Sequence, residues 1–242
     1  MSLPKNLITI YGRNPVLEAL NNSDLKIYSL HLSKSNKKSE KLDKIINIAK
    51  KRGIDIKYHD KRELSFISKN SKQDQGVALD IILDNLYNID YLQNLDSFRV
   101  LALDKIENPQ NLGMIIRSAA AGNIDAIILQ KRGTASLVSP LVIKASAGTL
   151  FKMPIIYVDS LKNTLIKLKD NTQIISLDLK AKSSLFDINI PNRAVFILGN
   201  ESRGVSKEIN DLSTNKVKIP MNRGVESLNV AVTASIISFL SK

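Results

Sequence analysis

Val100-Leu101-Ala102-Leu103, then Asn108-Pro109-Gln110-Asn111-Leu112-Gly113, then Arg117 inside a helix-forming run to Ala121: this stretch decides the fold. A short apolar run bounded by Asn, Pro or Gly reads as a buried strand, and the segment after it as a helix stopped at Gly122-Asn123. The arrangement recurs. Ala194-Val195-Phe196-Ile197-Leu198 leads into Gly199-Asn200-Glu201-Ser202-Arg203-Gly204, and Ile219-Pro220-Met221 leads to Ser227-Leu228-Asn229-Val230. The polar groups thus gather at strand carboxyl ends, where open α/β sheets bind their ligands.

Working outward from Phe98, strands are expected at 100–104, 126–129, 155–158, 173–177, 194–198 and 216–219. Helices are expected at 112–121, in part of 137–150, and at 160–169, 206–212 and 228–240. Strand–helix alternation at this spacing predicts an α/β domain with a mostly parallel, doubly wound sheet. Ahead of it, Asn14-Pro15 reads as an N-cap followed by Pro at the first helical position. Strands are read at 26–32, 54–58 and 76–83, and a helix at 37–51 with Leu42, Ile45, Ile46 and Ala49 on one stripe. The expected division is a small α/β domain at 1–83, a polar linker at 84–97 without clear period, and a larger domain at 98–242.

Lys and Arg outnumber Asp and Glu by 35 to 23, giving a net charge of +12. Both parts share the excess, with 16 basic against 11 acidic residues through position 90 and 19 against 12 beyond it. A folded basic surface suits a polyanion, although a lysine-rich composition alone also yields basic proteins that bind none. The absence of cysteine removes disulfides, thiolate metal sites, cysteine nucleophiles and base methylation through a thiolate adduct. The two histidines, His31 and His59, fall on separate elements, so no metal is expected. No stretch is apolar enough to span a bilayer, and Met1–Asn6 lacks the apolar core of a leader, so a reducing cytoplasm and no membrane partner are expected.

Neither a dinucleotide fingerprint nor a P-loop is present. The candidate site is therefore the three polar islands. Asn111 places an amide at the mouth of a helix, as either a site group or a plain N-cap. Arg117 sits among Ile115, Ile116, Ala119 and Ala120, where it either finds a partner or snorkels to the surface. Gly199 permits close backbone approach to a ligand, while Glu201 and Arg203 bring charge to the same mouth or simply pair with each other. Ser227 and Asn229 open the last helix, Ser227 as the expected N-cap.

Taken together, in this order, these islands resemble the SpoU/TrmH family of RNA ribose 2′-O-methyltransferases. The likeness covers residues 98–242, and Tyr11-Gly12-Arg13-Asn14-Pro15-Val16-Leu17-Glu18-Ala19-Leu20 is similar to the start of the family's RNA substrate-binding domain, of the ribosomal-protein L30e fold. The two-domain arrangement is nearest to the bacterial 23S rRNA guanosine 2′-O-methyltransferases. The resemblance implies a trefoil-knotted sheet, with the knot around 199–204 and 219–230 forming the pocket for S-adenosyl-L-methionine (AdoMet). It implies cofactor contacts at Gly199, Ile219 and Leu228, and active-site roles for Asn111, Arg117, Glu201, Ser227 and Asn229, with Glu201 orienting Arg117. It further implies a homodimer acting on RNA, most plausibly 23S rRNA, and not on DNA. Three readings compete: this enzyme, acting on rRNA or alternatively on tRNA; a catalytically silent RNA-binding module; and a nucleotide-dependent metabolic enzyme. The polar islands weigh against the second, and the basic N-terminal domain against the third.

Overall fold

In the computed structural model, residues 6–241 are described, so the reading of Met1–Asn6 lies, save for Asn6, outside them. Packing divides the chain into two units, the first running to Asp84 and taking in Leu137–Phe151. Its elements are β1 (Leu7–Tyr11), α1 (Arg13–Asn21), β2 (Lys26–Ser33), α2 (Glu40–Lys51), β3 (Asp55–His59), α3 (Lys61–Ser68) and β4 (Val77–Ile82). The sheet runs β1-β4-β2-β3, antiparallel except for β2 with β3. Ile10, Leu30, Leu32, Ile45, Leu79 and Ile81 fill its core.

Two elements here escaped the sequence reading. β1 is one. The other is α3, although Asp60 and Glu63 form a capping box that marks its start: the Asp60 side chain accepts from Glu63 N, and Glu63 accepts from Asp60 N at 2.9 Å. Asn14 does not cap α1. The helix begins at Arg13 after Gly12, with Pro15 inside the first turn, where the missing N–H costs nothing because those donors lack helical partners.

The histidines, although on separate strands, meet. His31 Nδ1 lies 2.9 Å from His59 Nε2, and His31 Nε2 lies 2.9 Å from Asp80 Oδ2. Thr9 Oγ1 donates to Asp80 Oδ1 at 2.6 Å and Ser29 Oγ to Asp80 Oδ2 at 3.2 Å, so one polar network crosses β1, β4, β2 and β3.

The second unit holds β5 (Leu86–Tyr87), α4 (Asp90–Gln93), β6 (Phe98–Leu103), α5 (Pro109–Ala121) and β7 (Ala126–Gln130). The chain then forms α6 (Pro140–Ser146), which lies against α1 and belongs to the first unit. It resumes with β8 (Ile155–Val158), α7 (Leu161–Leu168), β9 (Gln173–Leu177), β10 (Ser183–Ser184), β11 (Arg193–Leu198), α8 (Lys207–Asn210), β12 (Asn215–Lys218) and α9 (Val230–Ser238). The sheet order is β10-β12-β9-β11-β6-β7-β8-β5, and every pairing is parallel. Both faces of its centre are covered, as parallel sheets require: all six residues of β6 are buried. Val100, Ala102, Ile128, Ile156, Leu165, Val195 and Ile197 form one cluster.

Residues 84–97, expected as a linker, carry β5 and α4. β5 pairs with β8, and Arg193 holds the turn after α4 by donating to Leu95 O at 2.7 Å while its guanidinium lies 4.5 Å from the Phe98 ring centre. Those contacts are long-range, which is why no local period announces them. No helix among the described residues is long and apolar enough to cross a membrane.

The polar network of the first unit makes its stability pH-dependent. Burial, and then the neighbouring His31, hold the His59 imidazole below its ordinary value. Burial alone would raise Asp80, but hydrogen bonds from His31, Thr9 and Ser29 outweigh it and hold the carboxyl low. Both shifts have one sign, because the unfolded chain binds more protons in each case. Stability should fall as pH drops below the ordinary histidine value of about 6.5, and further through the acid range as Asp80 protonates. Thermal melts between pH 7.5 and 5 should show this, with the first part of the slope flattened in His59→Gln.

Candidate active site

Three parallel strands deliver their carboxyl ends to one mouth, β9 into Asp178–Lys180, β11 into 199–205 and β12 into 219–229, and the segment 104–111 after β6 is tied to its rim through Asn111. The β6 and β11 exits are laced together. Asp104 N donates to Leu198 O at 2.8 Å, Ser206 N to the buried Asp104 Oδ2 at 2.7 Å, and Asn200 Nδ2 to Lys105 O at 3.0 Å. Asp104 escaped the sequence reading because it lies just past the strand, outside the polar island itself.

Asn111 is not the cap of α5. That role falls to Asn108, whose Oδ1 accepts from Gln110 N and Asn111 N at 2.9 and 3.2 Å. The buried Asn111 side chain is thereby free for the site. Its Nδ2 donates to Glu201 Oε1 at 2.7 Å, and its Oδ1 accepts from Asn229 Nδ2 at 3.2 Å. Asn229, not Ser227, caps α9, its Oδ1 accepting from Ala231 N at 2.8 Å. One short residue thus ends a helix and orients the amide beside it. The chain Asn229→Asn111→Glu201 fixes the direction of each amide, and Glu201 Oε2 has no protein partner among the described residues.

Gly199, Glu201, Ser227, Leu228 and Asn229 all line one cleft of about 630 Å³, with Leu177, Leu198 and Val230 as apolar wall. Ile219 lines an adjoining cavity of about 80 Å³ that shares Leu177, Asp178, Leu179, Ser227, Leu228 and Thr233 with it. The segment Leu177–Lys180 was not singled out from the sequence; its only signal is its place at a strand's carboxyl end. Gly199 is required by the chain itself. A Cβ there would lie 2.1 Å from the backbone of Gly204 and Val205, because Asn200 and Gly204 bridge back across the loop.

Arg117 is not brought to this cleft. It is exposed on α5 and makes no hydrogen bond or ion pair among the described residues, while Glu201 takes Asn111 instead. Six residues beyond Asn111, it lies about 9 Å along the helix and roughly 240° round its axis. Met114 on α5, Val232 on α9 and Phe239 just after α9 are 41, 45 and 62% exposed. Arg203 lines the cleft without pairing to Glu201.

Gly199→Ala should force the 199–205 loop open. The expected loss is about 1–3 kcal/mol of stability, the usual cost of overpacking, read as a lower urea midpoint at unchanged slope.

The chain matches the SpoU rRNA Methylase family over residues 99–239, and the RNA 2′-O ribose methyltransferase substrate binding family over 9–85. It is 32% identical over 232 residues to the 23S rRNA (guanosine-2′-O-)-methyltransferase RlmB of Neisseria meningitidis, covering 94% of this chain and 92% of that protein. Its fold is similar to the crystal structure of the SpoU methyltransferase AviRb from Streptomyces viridochromogenes in complex with AdoMet, with TM-score 0.70, 20% identity, and 97% and 88% of the two chains covered. It is also similar to the AdoMet-bound rRNA methyltransferase of Sinorhizobium meliloti, with TM-score 0.68, 22% identity, and 96% and 85% covered. With the strand-end cleft falling inside the first of these matched segments, the chain belongs to the SpoU rRNA methylase family.

Proposed function

We propose that this protein transfers the methyl group of AdoMet to a ribose 2′-hydroxyl of RNA, at a guanosine of 23S rRNA, and does so as a homodimer with a trefoil-knotted methyltransferase domain, which packing bounds at 85–136 and 152–242 and not at the 98–242 expected from the sequence. The observation that carries the reading is the Asn229–Asn111–Glu201 chain at the mouth of the 630 Å³ cleft. The rRNA target is supported by the likeness to RlmB along nearly the whole of both chains. Residues 1–83 then dock the RNA, in keeping with the second family match.

The cleft fits the cofactor: its size lies in the usual range for small-molecule sites, and its walls combine leucines with backbone polar groups. Gly199, Ile219 and Leu228 are the residues that hold it. AdoMet, when bound, supplies the electrophilic methyl. The chain's own residues must then orient a poor nucleophile and tolerate the charge that develops on it. The open Oε2 of Glu201 accepts a ribose hydroxyl, with Asn111 and Asn229 fixing the carboxylate against rotation. Ser227, which lines the cleft without capping α9, adds a hydroxyl to the ribose side.

Arg117 completes the site from the partner copy. An exposed, unpaired guanidinium on α5, with Met114 exposed one turn before it and Val232 and Phe239 exposed on the segment packed against α5, suits a surface covered by a second molecule. From there its planar fork holds a phosphate and the emerging 2′-oxyanion. Arginine stays protonated, so it acts as a cation and not as the base, and the phosphate it holds takes the proton that leaves the 2′-hydroxyl.

Calorimetry should show AdoMet binding to the wild type; no binding at millimolar ligand would remove the cofactor assignment. Primer extension on 23S rRNA and tRNA from a deletion strain should reveal one missing 2′-O-methyl in 23S rRNA, whereas a loss confined to tRNA would move the target.

Arg117→Lys and Arg117→Ala should each lower kcat by on the order of a hundredfold or more, as for a lost oxyanion donor, with little change in AdoMet affinity or Tm. Mixed dimers provide the sharper measurement. Arg117→Ala and Glu201→Gln, each nearly inactive alone, should regain activity when subunits exchange, because one of the two sites is then intact. No recovery would place Arg117 within its own subunit's site or outside the mechanism.

A further inference from the structure

We infer that the first unit grips the phosphodiester backbone of RNA with one end of its sheet, through the loops 34–39 and 69–76 and the first turn of α1. This rests on the RNA reading above and goes beyond it by naming the surface and the chemistry of contact. Register places these segments together: Tyr11 pairs with Ala78, Leu32 with Val77, and Ser33 with His59, so the strand ends that feed them form one row.

Six cations stand there: Arg13, Lys34, Lys37, Lys38, Lys69 and Lys72. The five lysines are exposed and make no ion pair among the described residues. The one carboxylate in those loops, Asp74, is buried and turned inward, accepting from Ser68 Oγ at 3.0 Å and Gly76 N at 2.9 Å. It therefore offsets little of the outward field.

The loops are also held in place. Asn36 Nδ2 donates to Gly76 O at 2.7 Å, Arg13 Nη1 to Ser39 Oγ at 2.9 Å, Lys41 Nζ to Asn14 Oδ1 at 2.5 Å, and Asn70 Nδ2 to Tyr11 Oη at 2.9 Å. Cations on a braced frame lose less freedom on binding than cations on a mobile tail.

The opposite end of the same sheet is spent differently. Lys26 pairs with Asp84 at 2.7 Å, and Arg52 donates to the carbonyls of Leu20, Asn22, Ser23 and Leu25. That end keeps Lys50 and Lys51 exposed and unpaired among the described residues, against five such lysines at the loops. A regular polyanion is the partner such a surface fits, because sequence-independent phosphate contacts need exposed cations not already held in ion pairs, although Glu40, Asp60 and Glu63 border it.

The test uses the full chain with unmodified 23S rRNA and bulk tRNA transcripts, measuring binding across a potassium chloride series together with methylation. Lys34→Gln/Lys38→Gln/Lys72→Gln should weaken RNA binding about tenfold or more and lower the salt slope by about two to three, one phosphate contact per lysine. AdoMet affinity should be unchanged. Lys50→Gln/Lys51→Gln, at the far end of α2, should leave binding near wild type, and the triple Lys→Arg variant should retain it.

Wild-type methylation with unchanged affinity and slope in the triple Gln variant would overturn this surface alone. An equal loss in the Lys50/Lys51 variant would overturn it too, by showing a diffuse field. Absence of 2′-O-methylation of either RNA by the wild type would instead overturn the functional reading itself.

Discussion

The parallel pairing of β6 with β11 is the constraint on which the rest of the second unit depends. It runs without interruption from Phe98↔Arg193 to Leu103↔Leu198, through the most buried residues of the sheet. A one-residue slip would turn every side chain to the wrong face, and both faces here are packed, so the register is fixed. Its consequence is that the two strands end level. Only then can Asp104 reach Leu198 O and Ser206 N, Asn200 reach Lys105 O, and Asn111 reach Glu201. A buried asparagine is costly unless its amide is satisfied, and this register satisfies it twice. The site geometry is thus enforced by hydrophobic packing beneath it and not by the loops themselves.

A second consequence concerns charge. The charged residues lining the cleft are Asp178, Lys180, Glu201 and Arg203, two of each sign. Such a cleft can orient a ribose but has no net attraction for a polyanion. The basic excess is shared by both parts of the chain, and the unpaired lysines of the first unit offer one surface for it apart from the cleft. Orientation and affinity are handled by different chemistry: short hydrogen bonds of fixed direction at the cleft, screened long-range attraction at the loops.

What could be read from the sequence follows the same physics. β6, α5 and β11 were legible because each buries an apolar run or stripe and is punctuated by Asn-Pro or Gly. The polar islands were legible because they follow those runs directly. Three kinds of feature were not. Cap identity was one: Ser227 was read as the cap that Asn229 supplies, and the alternative of a capping Asn111 falls to Asn108, because any of several neighbouring Asn or Ser residues can cap and only the backbone decides. Elements stabilised from a distance, such as β5 against β8 or α4 under Arg193, leave no local period. The His31–His59 contact is a third case, since adjacency across parallel strands depends on register and not on spacing.

Arg117 marks where both sequence and single-chain geometry stop, and for one reason. The sequence argued that an arginine among Ile115, Ile116, Ala119 and Ala120 needs a partner; the helix resolves this by turning the isoleucines and Ala119 inward and Arg117 out. The cost of burial is thereby avoided in one chain, but the surface so made is unusual. Met114 exposes apolar area one turn from a cation that no acid neutralises, and Val232 and Phe239 expose more on the segment packed against α5. Covering that face with a second copy would bury the apolar rim and desolvate the guanidinium together. Desolvation is unfavourable unless the guanidinium gains hydrogen-bond acceptors, and in the proposed dimer these would be the open carboxylate oxygen of Glu201 and RNA phosphate. In that proposal the step that buries the apolar area also supplies the cation, which would give the pairing of subunits a chemical reason and not merely a hydrophobic one.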